Sequence, residues 1–215
     1  MIGTDIAIDL GTSRFKVYLD GKGIVVSEPS IIAVDNLTDE DIAVANSCNI
    51  AGADFNDAII KYVRKKFNLL IGDRTAEEAK IAIGCAYPRK KLMTYTLKGR
   101  NAMSGLPETT EMNSDEMIEA LVEPAISIIR TVQETLEETP PELLADIFTD
   151  GIYLTGGSAN LYGFSTLLSK KTKIPVVTFD EPENCVVLGA GRAIRYIDKI
   201  DNRGHGKLNP LVAYS

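Results

Sequence analysis

Between residues 114 and 137, apolar side chains recur at spacings of four and three: Met117, Leu121, Ala125, Ile128, Val132 and Leu136. That period lays one apolar stripe along a long helix, and such a stripe needs a core to pack on. Asn113 and Glu116 stand where a capping box would start the helix. Around it the pattern changes twice. Residues 5–34 alternate in the manner of strands: Ile6, Ile8 and Leu10, then Phe15, Val17 and Leu19, then Ile24 to Val26 after Gly21-Lys22-Gly23. Strands joined by such tight turns make a meander with little core of its own.

After a polar break at Asn36 to Glu40, a short strand is predicted at Ile42 to Ala45, with another near Asn49 and Ile50. A helix follows with Asp54 as N-cap and Phe55, Ile59, Val63 and Phe67 on one face. Arg74 to Ile83 reads as a second helix, and Leu92 to Leu97 alternates weakly as a strand. Pro140-Pro141 opens a short helix through Ile147. Gly151–Leu154 is a strand, Leu161–Lys171 a helix, Val176–Thr178 a strand and Cys185–Ile200 a helix. Strands first, then alternating helix and strand, define an α/β class.

Charge and cysteine usage narrow the partners. The formal net charge is −7, and an acidic chain gains nothing from counterion release, so no nucleic-acid partner is expected. Asp5 and Asp9 interrupt the N-terminal segment where a secretory signal needs an apolar run. No apolar run approaches bilayer length. Membrane contact is therefore expected to be at most peripheral and indirect. Cys48, Cys85 and Cys185 are odd in number and lie far apart, with no metal-ligand spacing. A cytoplasmic, reduced protein is expected. His205, the one histidine, lies in the tail, where a catalytic triad is not built.

Three stretches carry possible chemistry. Asp9-Leu10-Gly11-Thr12-Ser13 joins the first two strands. Its hydroxyls and N–H groups suit phosphate oxygens, and Asp9 suits a hydrated magnesium ion. Thr155-Gly156-Gly157-Ser158 sits between strand and helix, where paired glycines admit a ligand close to the backbone. Glu77 and Lys80 lie three apart on a helix and face one way, able to bond a ribose or base. Each also has an ordinary reading: a hairpin turn, a βα turn and a solvated helix face. Arg89-Lys90-Lys91 and Lys170-Lys171-Thr172-Lys173 suit an acidic partner or membrane surface, and more often such runs are only solvated.

Taken together, these stretches resemble the MreB family of bacterial actin homologues. The resembling segments are IAIDLGTS, GKGIVVSEPSIIAVD, GADFNDAIIKYVRKKFNLLIGDRTAEEAKIAIGCAYP, ETLEETPPELLADI and GIYLTGGSANLYGFSTLLSKKTKIPV, ending in EPENCVVLGAGRAI. They run in family order over most of residues 5–195. The resemblance implies an actin-like, ribonuclease-H-like α/β fold with a nucleotide between two domains. It assigns Asp9, Gly11, Thr12, Ser13 and Arg14 to the first phosphate loop, with Asp9 at the metal. Glu77 and Lys80 fall on the ribose and base helix, and Gly156, Gly157 and Ser158 on the adenosine loop. ATP and Mg2+ are the implied cofactors, and full-length MreB-like subunits the implied partners.

Departures from the family pattern shape the expectation. Asn36-Leu37-Thr38-Asp39-Glu40 stands in place of a large block holding the second phosphate loop and the glutamate that positions the attacking water. Arg14 replaces a usual Asn, and Ser158 a usual third Gly. The resemblance thus implies a second domain at 40–182, a first domain reduced to the meander 1–39 and a C-terminal helix 183–200, and a tail 201–215. The implied function is a shortened cytoskeletal protein linked to cell shape, with weak ATP binding and little or no hydrolysis. Two alternatives stand beside it: an active ATPase or sugar-kinase relative, and a decayed gene copy.

Overall fold

The computed structural model describes residues 6–10, 15–19, 23–28, 46, 48 and 50–194. These divide into two compact units, one within 1–33 and 184–215, the other within 34–183. The run Ile31 to Val34 and the strand expected at Ile42 to Ala45 lie outside the described residues.

In the smaller unit, β1 (Ile6–Leu10), β2 (Phe15–Leu19) and β3 (Gly23–Glu28) form an antiparallel meander in that order. Asp9 pairs with Lys16 and Leu10 with Phe15, and a register shift falls at Val17/Tyr18. Three strands with one apolar face need a cover, and helix Cys185–Ile194 packs against β1 and β2. Val187, fully buried, belongs to that helix.

The larger unit holds the main core. Helix α1 (Gly52–Phe67) buries Phe55, Ile59 and Val63, as the four-residue spacing predicts. Its start differs from expectation. Ala51 is the N-cap, and Asp54 sits three residues on, accepting the Ala51 N–H at 2.7 Å. The aspartate thus serves the second half of a capping box. At the other end Asn68 turns left-handed (φ 52°), and Arg64, Lys65 and Lys66 face the negative end of the helix dipole. Helix α2 (Asp73–Ile83) buries Ala76, Ala79 and Ile83.

Helix α3 (Ser114–Glu138) carries the capping box that its sequence predicts. Asn113 Oδ1 accepts the N–H groups of Asp115 and Glu116 at 3.0 Å each, and Glu116 accepts the Asn113 N–H at 2.8 Å. Met117, Leu121 and Ala125 are buried against α1, but the stripe then moves to Ile129, leaving Ile128 half-buried. Lys66 binds Glu116 at 3.1 Å, and the Tyr62 hydroxyl donates to Glu119, closing the α1–α3 seam at its polar edge. Beyond the core, Ser127, Thr131, Thr135 and Thr139 each donate a hydroxyl to the carbonyl four residues back. Val132, Thr135 and Leu136 line a hollow of about 260 Å³ with Ile147, Gly151 and Ile152.

Strand β4 (Leu69–Leu70) pairs with β5 (Thr94–Asn101), which forms a hairpin with β6 (Pro107–Asn113), all antiparallel. The strand expected at Leu92 to Leu97 thus begins two residues later and runs longer. Helix α4 (Pro141–Asp150) leads to β7 (Ile152–Leu154). A short 3-10 turn, α5 (Phe164–Thr172) and β8 (Val176–Thr178) follow, with β7 and β8 parallel. The C-terminal helix Cys185–Ile194 is α6. Among the described residues no helix is long and apolar enough to cross a membrane.

The α1–α3 seam and the α3 cap share Glu116, so substitutions at two other residues are needed to separate them. Leu121→Ala is expected to cost about 3 kcal/mol by leaving a cavity, and Asn113→Ala about 1 kcal/mol through the lost cap. Urea denaturation with an unchanged m-value checks both.

Candidate functional site

Because α2 buries Ala76, Ala79 and Ile83, its Glu77 and Lys80 fall on the flank that faces the start of α1. They are not the solvated pair that their spacing alone suggests. The Lys80 side chain is only 12% exposed. Its Nζ lies 2.7 Å from Glu77 Oε2 and donates to the Gly52 carbonyl at 2.9 Å. A third residue, invisible to motif reading, completes the cluster. Asn56 is 4% exposed, and its Nδ2 donates to Asp73 Oδ1 and Glu77 Oε2, both at 2.9 Å. Its Oδ1 is buried without a protein partner. One sequence signal exists for it: a polar residue beside the apolar stripe Phe55–Ile59–Val63. The group carries two carboxylates and one ammonium, with Glu77 partly open to solvent. It suits neutral O–H donors better than phosphate.

The Gly156–Gly157–Ser158 turn follows β7 in the same unit. Gly156 adopts φ 88°, ψ 165°, a region essentially reserved for glycine. Its N–H donates to the Pro182 carbonyl at 2.8 Å. A Cβ added to Gly156 or Gly157 would meet nothing within 4 Å, so the outer side of the turn is open to a ligand. The element after it departs from expectation. Gly157–Asn160 is a single 3-10 turn, and α5 starts only at Phe164. The backbone makes a second bend at Gly163 (φ 73°), where Tyr87 packs too closely for any side chain.

The two elements meet at the end of α2. Cys85 and Tyr162 form an isolated parallel bridge, with Ala86 N–H bonded to the Tyr162 carbonyl at 2.8 Å. At Gly84 a Cβ would overlap the Lys80 carbonyl oxygen and approach Leu161 Cδ2 to 2.8 Å. The end of the Glu77/Lys80 helix thus packs on Leu161 and Tyr162, the segment just past the glycine turn. Asp9 lies in β1 of the other unit. Its side chain, and Gly11, Thr12, Ser13 and Arg14, lie outside the described residues. Among the described residues no group of three His, Cys, Asp or Glu is placed to hold a metal ion.

Each basic run meets a tyrosine: the Lys170 ammonium donates to the Tyr87 hydroxyl, and Arg89 stacks over the Tyr162 ring at 4.2 Å. Cys85 is a core residue donating its thiol to the Ser114 carbonyl at 3.0 Å. Burial pushes that thiol above its ordinary value, against an opposing pull from Arg89.

Comparison with known proteins places these elements in context. The family model described as MreB/Mbl protein matches residues 3–46 and 37–202. The cell shape-determining protein Mbl of Bacillus cereus is 36% identical over 198 residues, covering 87% of this chain and 60% of that protein. MreB of Escherichia coli is 38% identical over 197 residues, covering 92% of this chain and 54% of its own length. The chain thus spans little more than half the length of these relatives. Among solved structures, MreB5 of Spiroplasma citri bound to ADP matches with a TM-score of 0.70 and 29% identity, over 94% of this chain and 56% of that one. The MamK double helical filament matches with a TM-score of 0.60 at 16% identity, over 88% and 54%, which is a likeness of fold alone.

The burial of Cys85 makes its protonation a probe of folding. The unfolded thiol ionises near pH 9, before the folded one, so stability is unaffected below pH 8 and falls as pH rises past 9. At pH 8 a thiol-specific reagent is expected to label half-buried Cys48 and Cys185 promptly, and Cys85 only as the chain unfolds. Time-resolved mass spectrometry of the labelled peptides checks this.

Proposed function

The chain belongs to the MreB/Mbl family, and on that footing we propose that it is a shortened actin-like cytoskeletal protein of bacterial cell-shape systems. It binds adenine nucleotide weakly and hydrolyses it little or not at all. The observation that carries this reading is the Asn56–Glu77–Lys80 cluster on a helix whose end, at Gly84, packs on Leu161, just past the open Gly156–Gly157 turn. Glu77 and Lys80 take the ribose and base, and Gly156, Gly157 and Ser158 the adenosine. The MreB5 neighbours, described as bound to ADP and AMPPNP, support a nucleotide as the ligand. For Asp9, Gly11, Thr12, Ser13 and Arg14, the assignment to ATP phosphates and Mg2+ stands on the family match within residues 3–46.

In this reading residues 40–182 correspond to the second domain of the family. Residues 1–39 and 183–200 are what remains of the first, with 201–215 a tail. A family match in two segments and a chain little more than half as long as its relatives support an internal loss near residues 36–40. The loss removes the second phosphate loop and the water-positioning glutamate. Phosphoryl transfer is carried almost wholly by positioning and charge stabilisation, and losing one such group costs a factor on the order of 10²–10³ in rate.

Assembly follows the same logic. Stable interfaces bury roughly 1,200–2,000 Å², and half a stacking surface falls short of that. The chain does not polymerise by itself. It binds the end of a filament of full-length MreB-like subunits in the cytoplasm and stops growth there.

Equilibrium titration with a fluorescent ATP analogue is expected to show saturable binding that weakens in Asp9→Ala and Lys80→Ala. Phosphate release should be at least a hundredfold below that of a full-length relative. Turnover at the relative's rate, abolished by Asp9→Ala, overturns the reading. Mixed pelleting with that relative should shorten its filaments, and filaments from this chain alone would refute the assembly model.

A further inference from the structure

We propose that Asn56 is the positioning residue that sets the pose of Glu77 toward the sugar of the bound nucleotide, an inference that rests on the nucleotide reading above. Its amide orientation is fixed by its surroundings. Nδ2 faces two carboxylates, Asp73 and Glu77, at 2.9 Å each, and the flipped amide would set its oxygen against both. Glu77 Oε2 receives that amide and the Lys80 ammonium at 2.7 Å, so two donors on different helices pin one carboxylate oxygen. Lys80 is itself tied to the Gly52 carbonyl, which fixes the ammonium to the start of α1.

The arrangement carries a cost as well as a gain in stability. Asn56 is 4% exposed and its Oδ1 has no protein partner, which is a costly way to fill a site beside Phe55 and Ile59. An apolar side chain of similar size would remove the orphaned acceptor, but would also take the amide donor from Asp73 and Glu77. What the amide supplies is orientation: it ties the first residue of α2 and the carboxylate one turn later to the flank of α1. A carboxylate held in one pose accepts from the paired hydroxyls of a ribose, and a carboxylate free to swing loses that preference. Asn56 is buried and bonded to Glu77, so it acts through Glu77.

The test compares ADP with 2′-deoxy-ADP by calorimetric titration on the full chain. Wild type is expected to bind ADP at least about tenfold more tightly, the worth of a hydrogen bond to a charged group. Asn56→Leu should bring that ratio to within about twofold of unity while 2′-deoxy-ADP affinity holds. Asn56→Ser, which keeps one donor and is the variant to use if Asn56→Leu does not fold, should retain an intermediate ratio. A merely structural Asn56 would weaken both nucleotides alike and leave the ratio unchanged in the variants, which overturns the proposal alone. A wild type that binds both nucleotides equally overturns it as well. A wild type that binds neither at millimolar concentration overturns the nucleotide reading and this inference with it.

Discussion

The close approach at Gly84 holds the larger unit's candidate site together. No side chain fits between the Lys80 carbonyl and Leu161, so α2 can end directly against the strand-like segment at Tyr162. That contact sets the segment just past the glycine turn against the end of the Glu77/Lys80 helix. Ala76, Ala79 and Ile83 bury the apolar face of α2 in the same core as α1 and α3. The cluster of Asn56, Asp73, Glu77 and Lys80 is thus framed by packing on three elements. Its polar contacts choose an orientation inside a frame that apolar burial has already built.

Parts of this were legible from the amino-acid sequence because they obey periodic rules. The apolar faces of α1 and α3, the Asn113/Glu116 box and the βα position of the glycine turn all follow from spacing. Other parts were hidden for stateable reasons. Strand β6 is Pro107–Asn113, of which only Met112 is buried, so it carries no alternation to detect. Asp54 has the chemistry of an N-cap, and only the backbone at Ala51 shows that it bonds backwards from inside the helix. Asn56 resembles any exposed polar residue until α2 is laid beside it.

A family likeness over half a relative's length also separates fold from chemistry. The larger unit closes its own core around Phe55, Leu121 and Phe164. Phosphate chemistry depends on groups converging from several loops, and such convergence is lost sooner than packing. Architecture and reaction are therefore separable properties of such a fold.

The hydroxyl ladder on α3 has a consequence for hydration. Ser127, Thr131, Thr135 and Thr139 spend their donors on the helix's own carbonyls, which leaves the threonine methyl groups to define that stripe. Thr135 enters the hollow beside Val132, Leu136, Ile147 and Ile152 as a small hydrocarbon surface. Hydropathy scales count these residues as polar, yet water resting there finds few partners and is loosely held. The outer half of α3 is wetted like oil along one side, although its sequence reads as that of a soluble helix.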